Sequence, residues 1–185
     1  MSWLTEAEAQ YAFNEGRSTN AFAEAEIRKS SSTDLSANFD VFLSHSYLDA
    51  RLIAGVKVIL ESEHLTVYVD WQNDAQQSRS NVTPDTAELL RNRMQHCSTL
   101  IFVATNSSPT SKWMPWELGY FDGFRPGHVA ILPLMKKEGD AFNGQEYLGL
   151  YPALEYITFN LGGEHLGIWL SPGKANRVHD FVTKG

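Results

Sequence analysis

From residue 39 onward, short and nearly unbroken apolar runs alternate with longer segments in which apolar residues return every three or four positions. Phe39-Asp40-Val41-Phe42-Leu43-Ser44 predicts a buried strand, and residues 49–63 predict a helix with Leu52, Ile53, Val56, Ile59 and Leu60 on its inner face. Val67-Tyr68-Val69-Asp70 predicts the second strand. A long polar loop over 71–83 follows, then a helix over about 84–96 with Pro84 at the favoured first-turn site. Residues 99–105 and 128–134 predict strands three and four, with a helix containing Glu117 between them. A fifth strand is expected over 156–160 and a last helix over about 172–183. Strands alternating with helices, and apolar enough to be covered on both faces, predict an α/β fold built on a parallel sheet.

Residues 1–38 have a different pattern, rich in Ala, Glu and Ser. Thr5-Glu6-Ala7-Glu8 matches a capping box, so one or two helices are expected over about 5–29, interrupted at Gly16. Ala21, Phe22, Ala25 and Ile27 give the second part a modest apolar stripe, and residues 30–34 read as a linker. The expected organisation is a helical arm and linker over 1–38, packed on the domain or on a neighbouring subunit, and one domain over 39–185.

The helix that opens near Trp113 breaks the general pattern. At helical spacing Trp113, Trp116, Glu117, Tyr120 and Phe124 are expected on one face, which sets a carboxylate among aromatic rings. Thr110 or Ser111 can cap this helix, and Pro115 falls in its first turn, where a missing backbone donor is tolerated. The helix N-terminus favours a charged Glu117, whereas desolvation by indole rings opposes it, a tension typical of a working acid group. The plainer alternative is a carboxylate that complements the helix dipole at the rim of a core.

Composition narrows the function classes. A chain of 185 residues that is 43% hydrophobic and 12% aromatic can bury a real core without staples. The single Cys97 cannot form an internal disulfide, and no Cys/His cluster has zinc spacing, so a reducing cytoplasmic setting is expected and structural zinc is not. The N-terminus carries Trp3, Glu6 and Glu8 instead of a basic region and an apolar run, and no 18 apolar residues run uninterrupted, so no membrane association is expected. A net charge of −7, with no basic cluster longer than Lys136-Lys137, argues against nucleic acid as a partner. There is neither a G-x-G-x-x-G nor a P-loop. In a parallel sheet, ligands bind beyond the carboxyl ends of the strands, and the segments expected there are 44–47, 70–81 and 106–112.

Three blocks, Phe39-Asp40-Val41-Phe42-Leu43-Ser44-His45-Ser46 with Asp49, Val67-Tyr68-Val69-Asp70, and Ser111-Lys112-Trp113 followed by Glu117-Leu118, resemble in order and spacing the landmarks of a TIR (Toll/interleukin-1 receptor) domain. The resemblance covers about residues 38–184. It implies a flavodoxin-like five-stranded parallel sheet with helices on both faces. Members that carry the helix glutamate commonly cleave NAD at the nicotinamide–ribose bond; Glu117 matches that glutamate, and Trp113 the aromatic one turn earlier. Two features depart from the family pattern. The loop over 71–84 lacks the Pro-Gly pair of many relatives, and the Phe-Trp block of receptor-type members is absent, Gly167-Ile168-Trp169 being no substitute. The second departure points to a bacterial-type enzyme over a receptor tail.

The chemistry suits these residues. Nicotinamide departs as a good leaving group while positive charge gathers on the ribose, and a carboxylate beside the sugar stabilises that charge without a metal or a covalent nucleophile. The expected catalytic residue is therefore Glu117, with Ser44, His45, Ser46 and Tyr47 lining base or ribose and Trp113 stacking on a flat ring; NAD is substrate, and no cofactor is expected. Trp113 as core and His45 as a loop cap are the competing assignments. The resemblance further implies an NAD glycohydrolase or ADP-ribosyl cyclase; the expected aromatic, water-poor surroundings of Glu117 favour a cyclised or transferred product over hydrolysis, because a held intramolecular nucleophile outcompetes water. It also implies homo-oligomers formed through the TIR domain, and a signal sensed by a downstream effector in bacterial antiphage immunity. Two alternatives remain: a non-enzymatic TIR adaptor acting by homotypic assembly, and a nucleoside deoxyribosyltransferase-like enzyme.

Overall fold

A computed structural model describes residues 2–19, 36–70, 83–160 and 163–184. The apolar stripe over 21–27, the linker over 30–34 and the loop over 71–82 lie outside the described residues. The elements are β1 (Leu4–Thr5), α1 (Glu6–Thr19), β2 (Phe39–Ser44), α2 (Ala50–Ser62), β3 (Val67–Tyr68), α3 (Pro84–Gln95), β4 (Cys97–Ala104), α4 (Trp113–Phe124), β5 (Val129–Met135), β6 (Leu154–Phe159), β7 (Gly163–Ser171), β8 (Lys174–Arg177) and α5 (Val178–Lys184).

Five strands form one sheet in the order β1-β5-β4-β2-β3, every neighbouring pair parallel. The chain enters at β2, steps outward to β3, then crosses back to β4 on the other side of β2, the doubly wound course of a flavodoxin-like fold. Alternating side chains of each strand feed two cores. Val41, Leu43, Ile101, Val103, Ala130 and Leu132 pack with Ala9 of α1, Ile53, Val56 and Leu60 of α2, and Val178 and Val182 of α5. Phe42, Leu100, Phe102, Val129 and Ile131 pack with Leu90 and Met94 of α3 and with Met114, Leu118 and Phe121 of α4. Helices thus cover both faces, as the apolar strands require.

The fifth strand is not the one expected. Residues 154–159 pair antiparallel with β7 in a separate sheet of order β6-β7-β8, and the fifth place beside β5 belongs to Leu4–Thr5. The edge of β5 is shared: the Ile131 N–H donates to the Pro152 carbonyl at 2.9 Å, while farther along Leu134 and Met135 pair with Leu4 and Thr5. The chain after Ala153 therefore starts alongside β5 and turns off, where the Tyr156 N–H donates to the Ser2 carbonyl at 2.8 Å. The last helix begins at Val178 instead of 172, because Gly173, at φ +78, turns the chain tightly enough for β8 to fold back on β7.

The capping box forms as read. The Thr5 N–H and hydroxyl donate to Glu8 Oε2 at 2.8 and 2.6 Å, and the Glu8 N–H donates to Thr5 Oγ1 at 3.2 Å. Helix α1 runs through Gly16 to Thr19 without the expected break, since its backbone ladder and its packing on α2 carry it past the residue with poor helix propensity. At Gly55 the two helices approach closely: a Cβ there would lie 1.8 Å from the Ala9 carbonyl oxygen. Among the described residues, no helix is long and apolar enough to cross a membrane.

Candidate active site

The strand order reverses between β2 and β4, the point beyond whose carboxyl ends doubly wound sheets take their ligands. The loop after β2 carries Ser44 to Asp49, and the loop after β4 carries residues 105–112 into α4. Ser111 helps start that helix by accepting the Met114 N–H at 3.3 Å on its hydroxyl. One turn into α4, Glu117 is 5% exposed, and its Oε2 accepts a 2.5 Å hydrogen bond from the hydroxyl of Ser44, itself 1% exposed. Two residues 73 positions apart thus meet at the strand-order reversal. A hydroxyl bonded to a buried carboxylate is a strong, charge-assisted contact that orients the oxygen it holds.

The neighbouring residues serve different ends. His45 is buried, and its Nδ1 lies 3.1 Å from the Leu43 carbonyl; because a carbonyl can only accept, Nδ1 carries the proton. Ser46 is buried and caps the short helical turn Tyr47–Asp49 by accepting the Leu48 N–H at 3.4 Å. Tyr47 is half-buried at the start of that turn. Trp113, 8% exposed, belongs to the core of α3 and α4 and meets Trp116 edge-on at 5.3 Å. Ser44 is thus brought directly onto Glu117, whereas the hydrogen bonds of His45 and Ser46 shape the loop itself.

The single aromatic face expected on α4 divides in two. The buried stripe is Trp113, Met114, Glu117, Leu118 and Phe121. Trp116, Tyr120 and Phe124 form a flanking ladder with ring centroids 5.8 and 5.2 Å apart, over which the Arg91 guanidinium lies 5.4 Å from Trp116 and 5.9 Å from Tyr120. Gln95 Nε2 donates to the Tyr120 hydroxyl at 2.8 Å. Spacings of i, i+3, i+4 and i+7 span a broad arc of a helix, and the sheet covers only its inner half.

The sequence singled out Asp49 without a role and missed Thr105. The Thr105 hydroxyl donates to Asp49 Oδ2 at 2.6 Å and accepts the N–H groups of Ser107 and Ser108 at 3.1 and 3.2 Å. Ser108 closes the turn, its hydroxyl donating to the Thr105 carbonyl at 2.8 Å. A hydroxyl three residues before a serine at the end of an apolar strand was the available signal for such a turn. Beside it, a cleft of about 480 Å³ opens between residues 104–109 and 134–145, lined by Thr105 and Ser108 but not by Glu117. Among the described residues, no group of three or more His, Cys, Asp or Glu could hold a metal ion.

No family model matches the chain. A protein of Bacillus cereus (strain MSX-D12) named probable 3′ cyclic ADP-D-ribose synthase ThsB′ is 48% identical over 141 residues, which cover 76% of this chain and 72% of the relative. A protein of Cytobacillus dafuensis named putative cyclic ADP-D-ribose synthase TIR2 is 32% identical over 83 residues, 44% of this chain and 22% of the relative.

Proposed function

The chain belongs to the bacterial TIR-domain cyclic ADP-D-ribose synthases, and from that premise we propose that it cleaves NAD at the nicotinamide–ribose bond, with Glu117 as the catalytic carboxylate, and closes the remaining ADP-ribose into a ring. The observation that carries the assignment of Glu117 is its 2.5 Å bond to Ser44, which sets a buried carboxylate at the strand-order reversal where such sheets take their ligands. As the bond from the anomeric carbon to nicotinamide breaks, its electron pair leaves with nicotinamide, which departs neutral, and the sugar gathers the positive charge. A carboxylate already oriented, in a site poor in water, stabilises that charge with little reorganisation. A nucleophile of the same molecule, held against the anomeric carbon, then outcompetes water by effective molarity and loses its proton as the ring closes. Trp113, Ser46, His45 and Tyr47 are assigned to the walls that hold base and ribose.

The product isomer proposed is the 3′ one carried in the name of the Bacillus cereus relative. No metal and no cofactor enter this reading. Its wider setting, a cytoplasmic enzyme that assembles through its TIR domain and makes a signal sensed by an effector in antiphage immunity, rests on the resemblance described above. The experiment is to incubate NAD with the protein and with Glu117→Gln, and to follow nicotinamide and the coproduct by chromatography with mass detection. The expected result is a product lighter than ADP-ribose by one water, and a rate at least about 10²-fold lower in the variant, the loss typical of a preorganised transition-state stabiliser. Cleavage by Glu117→Gln at the wild-type rate refutes the assignment of Glu117, and ADP-ribose as the sole coproduct refutes the cyclase.

A further inference from the structure

Among the hydrogen bonds of the described residues at the carboxyl ends of β2 and β4 are Ser44 to Glu117 and Thr105 to Asp49, the latter linking residues 56 positions apart. They differ in what they hold. The Ser44 bond acts on Glu117 itself and orients its carboxylate. The Thr105 bond involves no atom of Glu117 and joins the two loops instead.

From this difference we infer that Asp49 and Thr105 are a positioning pair: the tie between them holds the loop after β2 against the loop that launches α4, and so keeps Glu117 in register with the substrate. The inference rests on Glu117 being the catalytic carboxylate. Both ends of the tie are anchored in rigid structure. Asp49 ends the short turn capped by Ser46 and immediately precedes α2. Thr105 directly follows β4, and with the Ser107 and Ser108 N–H groups on its oxygen and its proton on Asp49, its hydroxyl makes three hydrogen bonds at once. Ser108, 1% exposed, adds a bond from the Thr105 N–H at 3.2 Å and one to the Thr105 carbonyl at 2.8 Å. The turn is therefore stiff, and a shift at Thr105 is passed along 105–112 to Trp113 and Glu117. Displacements near 1 Å of a reacting group cost on the order of 10²-fold in rate, so a tie of this kind acts on turnover more than on binding.

The test compares Thr105→Val, which keeps the shape and removes the hydroxyl, with Thr105→Ser, which restores it, and with Asp49→Ala alone and combined with Thr105→Val. The expected result is a fall in kcat of about 10- to 10²-fold in Thr105→Val and in Asp49→Ala with KM changed less, near-wild-type kcat in Thr105→Ser, and a double variant no slower than the singles. A wild-type kcat in folded Thr105→Val, or losses that multiply in the double variant, overturns the proposal. Should Thr105→Val not fold, Asp49→Asn, which still accepts the bond, is set against Asp49→Ala, and equal rates overturn it. Amide hydrogen exchange reads the tie without turnover. If Glu117→Gln proves as active as wild type, the catalytic reading fails by itself, and the tie is judged by exchange, where faster exchange over 44–49 and 105–112 in Thr105→Val supports it and unchanged exchange overturns it.

Discussion

Gly55→Ala is the sharpest probe of how the N-terminal segment is joined to the rest of the molecule. A methyl group at Gly55 would lie 1.8 Å from the Ala9 carbonyl oxygen and 2.5 Å from its carbonyl carbon. The obstacle is helix backbone, so no side-chain rotation relieves it, and α1 must back away by more than about an ångström, a shift of the kind that costs about 1–3 kcal/mol in over-packed cores. Leu4 and Ala9, both fully buried, move with it, and the pairing of Leu4 and Thr5 with β5 loosens. In a chain of this size each kcal/mol lowers Tm by about 2–4 °C, which gives an expected fall of roughly 2–12 °C. Thermal unfolding followed by circular dichroism measures it, and limited proteolysis with mass spectrometry reads earlier release of residues 2–19. Because Glu117 lies on α4, which covers the opposite face of the sheet, NAD cleavage per folded molecule at 25 °C should stay close to wild type. A Tm within about 1 °C of wild type, with an unchanged proteolytic pattern, refutes the close approach and the packing of α1 on the domain.

Ser44→Ala removes a buried, charge-assisted bond of a kind worth about 1.5–3 kcal/mol, so kcat/KM for NAD should fall by about 10- to 10²-fold, and Ser44→Thr should recover part of the loss; a variant as active as wild type would show that the bond is only structural. If the active form is an assembly through the TIR domain, nicotinamide release per molecule should rise with protein concentration alongside a change in sedimentation, and a rate strictly proportional to enzyme with a monomer throughout would count against it.

Local patterns were enough to read most of the elements. Alternating apolar runs marked β2, β4 and β5, Pro84 in its first turn marked α3, and the Thr5-to-Glu8 spacing gave the capping box, because each depends on residues a few positions apart. Glu117 was legible as a candidate for the same reason: a carboxylate at helical spacing among large apolar residues stands out wherever the helix is placed. Tertiary structure decided the rest. The fifth place in the sheet went to Leu4–Thr5, a pairing of two residues too short to leave a period, while 154–159 was drawn into an antiparallel sheet with β7. Which face of α4 is inward depended on where the sheet lies, so the Trp116, Tyr120 and Phe124 ladder separated from Glu117. The bonds of Glu117 to Ser44 and of Thr105 to Asp49 join residues 73 and 56 positions apart, and exist only because β2 and β4 are neighbours at the point where the strand order reverses. A linear pattern reports which side chains want to be buried; which of them meet is set by strand order and register, and these are settled by the packing of the whole chain.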